Sequence, residues 1–119
     1  MKAFVVCPVR NVTQDEQNQI QQAVERLEGN GFVVHWPLRD TRQDDPVGNK
    51  ICDQNLRAIE AADLIAIWYN PNSTGSLFDM GMAWALHKPI YLLQPVEATA
   101  GKSFANVLLS WAQNERRFV

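Results

Sequence analysis

The chain has 119 residues, of which 46% are hydrophobic and 20% are charged, a globular composition that argues against a disordered or fibrous protein. Its length predicts one domain spanning residues 1–119. The 11 basic and 13 acidic side chains give a formal net charge of −2, so a nucleic-acid polymer is not expected as a partner.

Two cysteines, Cys7 and Cys52, are too few for a disulfide framework and are not spaced as metal ligands. We expect reduced thiols that are buried or half-buried. The apolar run at residues 3–7 is too short for a signal-peptide core, and no run approaches the length of a membrane span. These features predict a cytoplasmic protein that does not bind a membrane.

Apolar runs alternate with amphipathic stretches along the chain. Four runs are typical of buried parallel strands: residues 3–6, 32–36, 64–69 and 90–93. Four stretches have a helical pattern: residues 13–29, 49–62, 76–87 and 103–114. Residues 38–48 have no period and many turn formers, which predicts a long loop that acts as a lid or binding loop.

Local signals refine the predicted helices. Thr13 and Glu16 form a capping-box pattern at the start of the first helix, and Ser103 is the expected cap of the last. The third helix is apolar nearly all round, which predicts burial on both sides. The last helix carries its apolar residues on one predicted face: Phe104, Val107, Leu108 and Trp111.

The alternation of strands and helices predicts an α/β fold. We expect a flavodoxin-like or Rossmann-like three-layer sandwich, with a parallel sheet of about four or five strands. Right-handed crossovers favour the strand order 2-1-3-4, with a switch point between the first and third strands. Ligands bind outside the carboxyl ends of strands at such a point. The segments predicted to arrive there contain Pro8 and Arg10 after the first strand, and Ser73 and Gly75 after the third.

The segment between the third and fourth strands contains the strongest chemical signal. A strand leads through a polar loop to a helix N-terminus, whose free amides and dipole favour an anion. Asp79 is predicted to lie in the first turn of that helix, where the dipole alone can account for an acid. Gly81 costs about 1 kcal/mol in a helix relative to alanine, which predicts the close approach of another backbone or a ligand.

Three pieces of the sequence form one combined motif: Asn55-Leu-x-x-Ile-x-x-Ala-Asp63, Gly75-x-x-x-Asp79-Met-Gly-Met-Ala83 and Lys88-Pro89. In this combination the chain resembles the nucleoside 2-deoxyribosyltransferase family, which includes the 2'-deoxynucleoside 5'-monophosphate N-glycosidases. The resemblance covers nearly the whole chain. It implies a nucleoside or nucleotide substrate, no metal or organic cofactor, and a homodimer or higher homo-oligomer.

The resemblance also implies roles for individual residues. In this family a glutamate at the position of Asp79 attacks the anomeric carbon of the sugar. The shorter aspartate loses about 1.5 Å of reach, and a misplacement of about 1 Å can cost about a hundredfold in rate. Asn55 lies where the family commonly has an aspartate that holds the sugar and orients the nucleophile. Phe4 lies where many members have a tyrosine that contacts the nucleophile.

Other positions of the resemblance concern substrate binding. Ser73 and Arg10 match the monophosphate hydrolases, whereas the nucleoside transferases usually carry an acid at the position of Ser73. Arginine with hydroxyl and amide donors suits a phosphate, although a turn residue and a solvated charge are the structural alternatives. Trp68 is expected to stack on a base. Asn106 is expected to act in the site of a neighbouring subunit.

Two classes of function remain open at this point. The first is an enzyme that cleaves or transfers at the N-glycosidic bond of a (deoxy)nucleoside or its 5'-monophosphate through a carboxylate nucleophile. The second is a non-catalytic nucleotide-binding or sensing module on the same fold. An acid at Asp79 favours the enzyme, whereas the departures from the family at Phe4, Asn55 and Asp79 favour the module.

Overall fold

The computed structural model describes residues 1–113 and contains a four-stranded parallel sheet. The strands are β1 (Lys2–Val6), β2 (Val33–His35), β3 (Leu64–Ile67) and β4 (Ile90–Leu92). The helices are α1 (Gln14–Gly29), α2 (Pro37–Asp40), α3 (Asn49–Ala61), α4 (Thr74–Ala85) and α5 (Phe104–Ala112). The strand order is β2-β1-β3-β4 and every neighbouring pair is parallel, which confirms the predicted α/β fold and strand order.

Alternating side chains of the central strands divide the core into two layers. Phe4 and Val6 of β1 face a cluster built with α3, α4 and α5. Val5, between them, faces the cluster that contains Ile20 and Val24 of α1. The sheet is therefore covered on both faces, and its two middle strands are almost entirely buried.

The helix starts follow the predicted caps. The Thr13 hydroxyl accepts from the Glu16 amide at 3.1 Å, and the Ser103 hydroxyl accepts from the Asn106 amide at 3.1 Å. Each cap satisfies an amide that has no partner inside its helix. Within residues 1–113, no helix is both long enough and apolar enough to cross a membrane.

The segment predicted as one long loop contains a short helix. Residues 37–40 form α2, because Pro37 at its first position presets the backbone angle that a helix requires. The Thr41 amide closes this turn by donating to the Pro37 carbonyl at 3.0 Å. Residues 41–48 remain irregular up to Gly48, which precedes α3 in a left-handed conformation with φ of 100°.

Burial of the last two helices differs from the prediction. On α4, Phe78 is 58% exposed and Trp84 is 39% exposed, so the expectation of burial on both sides is wrong. On α5, Leu108 and Trp111 are buried, but Phe104 and Val107 are exposed. An apolar helix is buried all round only where other elements cover it, and residues 1–113 cover one side. The predicted helix end at residue 114 lies outside the described residues.

Two details of α4 also correct the prediction. This helix begins at Thr74, so Asp79 is its sixth residue and lies beyond the first turn, where the effect of the helix dipole is weaker. Gly81 is exposed, and a Cβ atom added there would meet nothing within 4 Å. Within the described part of the chain no other backbone approaches Gly81, whereas the approach of a ligand stays a prediction.

Two charged residues of the sequence motif hold the fold together. The Asp63 carboxylate accepts from the Lys2 amide at 2.8 Å, beside the backbone pairing of these residues. The Lys88 ammonium donates to the Glu60 and Ala62 carbonyls at 2.8 and 2.9 Å. Lys88 thus satisfies carbonyls at the end of α3, where the helix leaves them unpaired and a cation is favourable.

We predict that Lys88→Met lowers the free energy of unfolding by about 1 to 2 kcal/mol, because two charge-assisted hydrogen bonds are lost from a half-buried site. Lys50→Met is the matched control, since the Lys50 side chain is exposed and, within residues 1–113, Lys50 donates to Asp45 through its backbone amide alone. Urea denaturation measures both variants. Equal stability of the two would contradict the role given to Lys88.

Candidate active site

A cavity of about 700 Å³ opens at the carboxyl ends of β1 and β3. Pro8 and Arg10, which follow β1, form part of its wall. Ser73 and Gly75, at the start of α4, form another part. The cavity lies at the switch point of the parallel sheet, where ligands of such folds bind, and its size suits a nucleotide-sized ligand.

The segment between α2 and α3 completes the wall. Gln43 and Gly48 from residues 41–48 line the cavity, as do Ile51 and Cys52 from the first turn of α3. Asp45 of the same segment accepts from the amides at the start of α3, including the Lys50 amide at 2.8 Å. The predicted binding loop therefore contributes Gln43 and Gly48 to the cavity wall, and its Asp45 caps the helix that follows.

Asp79 lines the cavity from α4 and is 8% exposed. Asn55 Nδ2, on α3, donates to Asp79 Oδ2 at 3.4 Å. Burial raises the pKa of Asp79 from 3.8 to about 7, and the Asn55 hydrogen bond opposes this rise. The carboxyl group consequently changes between its neutral and ionised forms near neutral pH.

The amide of Asn55 has a second partner, which the sequence did not indicate. The Thr41 hydroxyl donates to Asn55 Oδ1 at 2.7 Å, and His35 Nε2 lies 2.7 Å from the same hydroxyl oxygen. Thr41 belongs to a segment without periodicity, and His35 has no neighbour at metal-ligand spacing, so neither had a local signal. Only the folded chain brings these side chains behind Asp79.

Arg10 and Ser73 lie in the cavity wall as the resemblance implies. Within residues 1–113, the Arg10 guanidinium has no ion-pair or hydrogen-bond partner. The Ser73 hydroxyl caps α4 by accepting from the Ser76 amide at 3.3 Å. In the same part of the chain, the amides of Thr74 and Gly75 find no acceptor. The cavity wall therefore carries a free cation and free backbone donors.

Three predicted site residues do not line the cavity. Phe4 is fully buried and stacks on His35, with ring centroids 5.4 Å apart. The Trp68 indole donates to Glu16 at 3.0 Å and packs in the layer of α1. The Asn106 amide donates to carbonyls of residues 99 and 101, which precede α5. Its action in a neighbouring subunit stays a prediction.

One aromatic residue that the sequence assigned to the core reaches the cavity instead. Phe78 lines the cavity and is 58% exposed. It directly precedes Asp79 on α4. The cavity therefore has an aromatic surface from α4 rather than from Trp68 of the third strand.

Both cysteines also line the cavity as free thiols, in agreement with the expected burial. Burial raises the pKa of Cys7 to about 12 and also raises the pKa of Cys52. The thiols are therefore neutral at pH 7 and are poor nucleophiles. Among residues 1–113, no group of three or more histidine, cysteine, aspartate or glutamate side chains could hold a metal ion.

Comparison with known proteins identifies the family. The model of the nucleoside 2-deoxyribosyltransferase family matches residues 7–109. The chain belongs to this family. Membership supports a nucleoside deoxyribosyltransferase kind of activity. No curated protein sequence matches this family member significantly.

Two solved structures share the fold of this deoxyribosyltransferase family member. A CMP N-glycosidase from Clostridium botulinum is 22% identical, with a TM-score of 0.62, and the match covers 77% of this chain and 70% of that one. A 2-deoxyribosyltransferase from the psychrotolerant bacterium Bacillus psychrosaccharolyticus is 21% identical, with a TM-score of 0.62 and coverage of 77% and 71%. At this level of identity the likeness shows the fold alone.

We predict that Asp79→Asn stabilises the protein increasingly as the pH rises. The folded-state pKa of Asp79 lies above the unfolded-state value, so stability that is present below about pH 4 is lost as the pH rises through about 7. Asparagine has no proton to lose. The variant should therefore gain roughly 3 to 4 kcal/mol in free energy of unfolding, relative to the parent, between pH 4 and pH 8.

Chemical denaturation at several pH values measures this gain. Asp53→Asn, which removes an exposed carboxylate from α3, controls for the general loss of one negative charge. Parallel stability curves for the parent and Asp79→Asn would show that Asp79 is not held out of water.

Proposed function

We propose that the protein cleaves or transfers at the N-glycosidic bond of a deoxynucleoside 5'-monophosphate, with Asp79 as the nucleophile. One observation carries the proposal. Among residues 1–113, Asp79 is the one carboxylate that lines the cavity at the switch point, and Arg10 is the one cation there. A carboxylate for the anomeric carbon and a cation for the phosphate are the two charged groups that this reaction requires.

The reaction begins with attack of an Asp79 oxygen on C1' of the sugar. The bond between C1' and the base nitrogen breaks, and the base leaves with the bonding electron pair and takes up a proton. A glycosyl ester of Asp79 results. Water or a second base then attacks C1' and loses a proton, while the bond between C1' and the Asp79 oxygen breaks. The product is released and the Asp79 carboxylate is regenerated.

Burial of Asp79 has two opposite effects on its attack on C1'. It raises the pKa to about 7, so only part of the protein carries the ionised nucleophile at neutral pH. It also removes water that would otherwise surround the carboxylate and must be displaced before attack. The Asn55 amide donates to the carboxylate at 3.4 Å and favours its ionised form.

The phosphate-binding part of the proposal is supported by the N-terminus of α4. Free amides at Thr74 and Gly75 lie beside the Ser73 hydroxyl in the cavity wall, and Arg10 lines the same cavity. The start of α3 is less suitable for an anion, because the Asp45 carboxylate already accepts from its amides. A 5'-phosphate is therefore expected at α4.

The exposed aromatic face of Phe78 supports a place for the base. Phe78 lines the cavity and directly precedes the nucleophile on α4, and aromatic faces stack on bases at a gain of roughly 1 to 3 kcal/mol. We propose Phe78 in place of Trp68 as the stacking residue.

Exposed apolar side chains support the proposed homo-oligomer. Trp84 on α4 and Val107 on α5 are each 39% exposed, and both line a second surface pocket. Large apolar residues that lie together on a surface are typical of an interface with another protein.

A non-catalytic nucleotide-binding module is the second candidate. The observation that favours it is the shorter acid, whose hydrogen bond to Asn55 is long at 3.4 Å and whose pKa of about 7 leaves it partly neutral. A binding module would use the same cation and helix N-terminus for the phosphate, and would need no reactive carboxylate.

We predict that Asp79→Asn lowers the rate of base release by at least about a thousandfold, because the amide cannot form the glycosyl ester. Chromatography of the free base after incubation with each deoxynucleoside 5'-monophosphate measures the rate. Asp53→Asn is the control on an exposed carboxylate. Base release that survives in Asp79→Asn would remove Asp79 from the mechanism. Thermal stabilisation of the parent by nucleotides without base release would favour the binding module.

We predict that Arg10→Gln raises the KM for a 5'-monophosphate by about 10- to 100-fold, because a charge-assisted contact to the phosphate is lost. The KM for the corresponding nucleoside should change by less than about threefold, since no phosphate is present. Arg57→Gln, on an exposed position of α3 outside the cavity, is the matched control. An equal effect of Arg10→Gln on both substrates would contradict the phosphate contact.

A further inference from the structure

A continuous chain of hydrogen bonds runs behind the proposed nucleophile. His35 Nε2 lies 2.7 Å from the Thr41 hydroxyl, which donates to Asn55 Oδ1 at 2.7 Å. Asn55 Nδ2 then donates to Asp79 at 3.4 Å. Thr41 is 4% exposed and Asn55 is 5% exposed, so water has little access to these side chains. Four residues from separate parts of the chain thus form one polar connection through the protein.

The direction of these hydrogen bonds depends on the one hydrogen of the Thr41 hydroxyl group. A hydroxyl group has one hydrogen to donate and lone pairs to accept with. Because the Thr41 hydroxyl donates to Asn55 Oδ1, its oxygen can only accept from His35. His35 must therefore carry a hydrogen on Nε2.

If the hydrogen bonds ran in the reverse direction, Asn55 would present its amide oxygen to Asp79. If His35 Nε2 accepted from Thr41, the hydroxyl oxygen would accept from Asn55 Nδ2, and Asn55 Oδ1 would face the carboxyl group. An amide oxygen facing an ionised carboxylate is repulsive, whereas a neutral carboxylic acid could donate to it. The two directions therefore stabilise opposite forms of Asp79.

We propose that Thr41 and His35 are positioning residues, which fix the Asn55 amide with its NH₂ group towards Asp79 through hydrogen bonds that run from His35 Nε2–H. Their catalytic consequence rests on the proposed function, because it is the ionised carboxylate that attacks the sugar. Neither residue touches the cavity. They act on Asp79 through Asn55.

The surroundings of His35 are compatible with this role. The ring stacks on Phe4 with an interplanar angle of 13°, which limits its rotation. Burial lowers the pKa of His35, Asp40 opposes the change and Arg39 adds to it. The imidazole is therefore neutral at pH 7, and the position of its one ring hydrogen is decided by its hydrogen bonds.

Burial has the largest effect on the pKa of Asp79, and the Asn55 hydrogen bond is the local interaction that opposes it. Cys7 follows β1 and Cys52 lies on α3, and both thiols are neutral at pH 7 because burial raises the pKa of each. Arg10 lines the same cavity. Removing the Thr41 hydroxyl therefore tests the orientation of the Asn55 amide without changing any charge near Asp79.

The test uses nuclear magnetic resonance on the whole protein and does not depend on activity. Nitrogen–proton correlation at pH 7 should show His35 with its hydrogen on Nε2. Titration of the Asp79 carboxyl carbon should show a pKa higher by about 0.5 to 1 in Thr41→Val than in the parent. Thr41→Ser keeps the hydroxyl and should stay within about 0.2 of the parent pKa.

A kinetic measurement adds a second readout. In Thr41→Val, kcat/KM should fall about 3- to 10-fold at pH 6 and less than about twofold at pH 9, where Asp79 is ionised in both proteins. A merely structural role would lower kcat/KM at every pH. If the parent releases no base, the proposed function fails, but the two magnetic resonance measurements still decide the positioning role.

Two results would overturn the proposal. One is a neutral His35 whose hydrogen lies on Nδ1, which reverses the chain. The other is an Asp79 pKa that is the same in Thr41→Val and the parent. If Thr41→Val fails to fold, the His35 hydrogen in the parent protein decides the matter.

Discussion

The burial of one carboxyl group beside one amide is the constraint on which the site depends. Asp79 is 8% exposed and Asn55 is 5% exposed, so both are held away from water where two parallel strands end. Holding an acid there lowers stability at neutral pH, and the surrounding elements must be rigid enough to keep it in place. The β1 and β3 strands meet this need because they are paired on both sides within the sheet.

Much of the fold could be predicted because its signals are local. Short apolar runs, the Thr13 and Ser103 caps and the handedness of crossovers suffice for the elements and the strand order. The burial of α4 and α5 could not be predicted in the same way. Phe78 and Phe104 are apolar whether or not another surface covers them, and a sequence pattern does not say what packs against a helix.

The same distinction between local sequence signals and contacts made only in the fold applies to the candidate site. The motif and the switch point together placed six predicted residues in the cavity wall: Pro8, Arg10, Asn55, Ser73, Gly75 and Asp79. Trp68 failed to reach it because the direction of a side chain at a strand end depends on the chain beyond the strand. Thr41 was missed because it lies at the start of an irregular segment, and His35 was missed because it reaches Asn55 only through Thr41. No periodicity of the sequence indicates such contacts.

A substitution of Ser73 can change which ligand the cavity prefers without changing the stability of α4. Its hydroxyl caps α4 while it lines the cavity, and aspartate caps a helix as well as serine does. Exchange of Ser73 for aspartate would therefore turn the proposed phosphate-binding surface into one that repels a phosphate, while α4 keeps its cap. Proteins of such a fold can therefore differ in substrate preference without a destabilised variant between them.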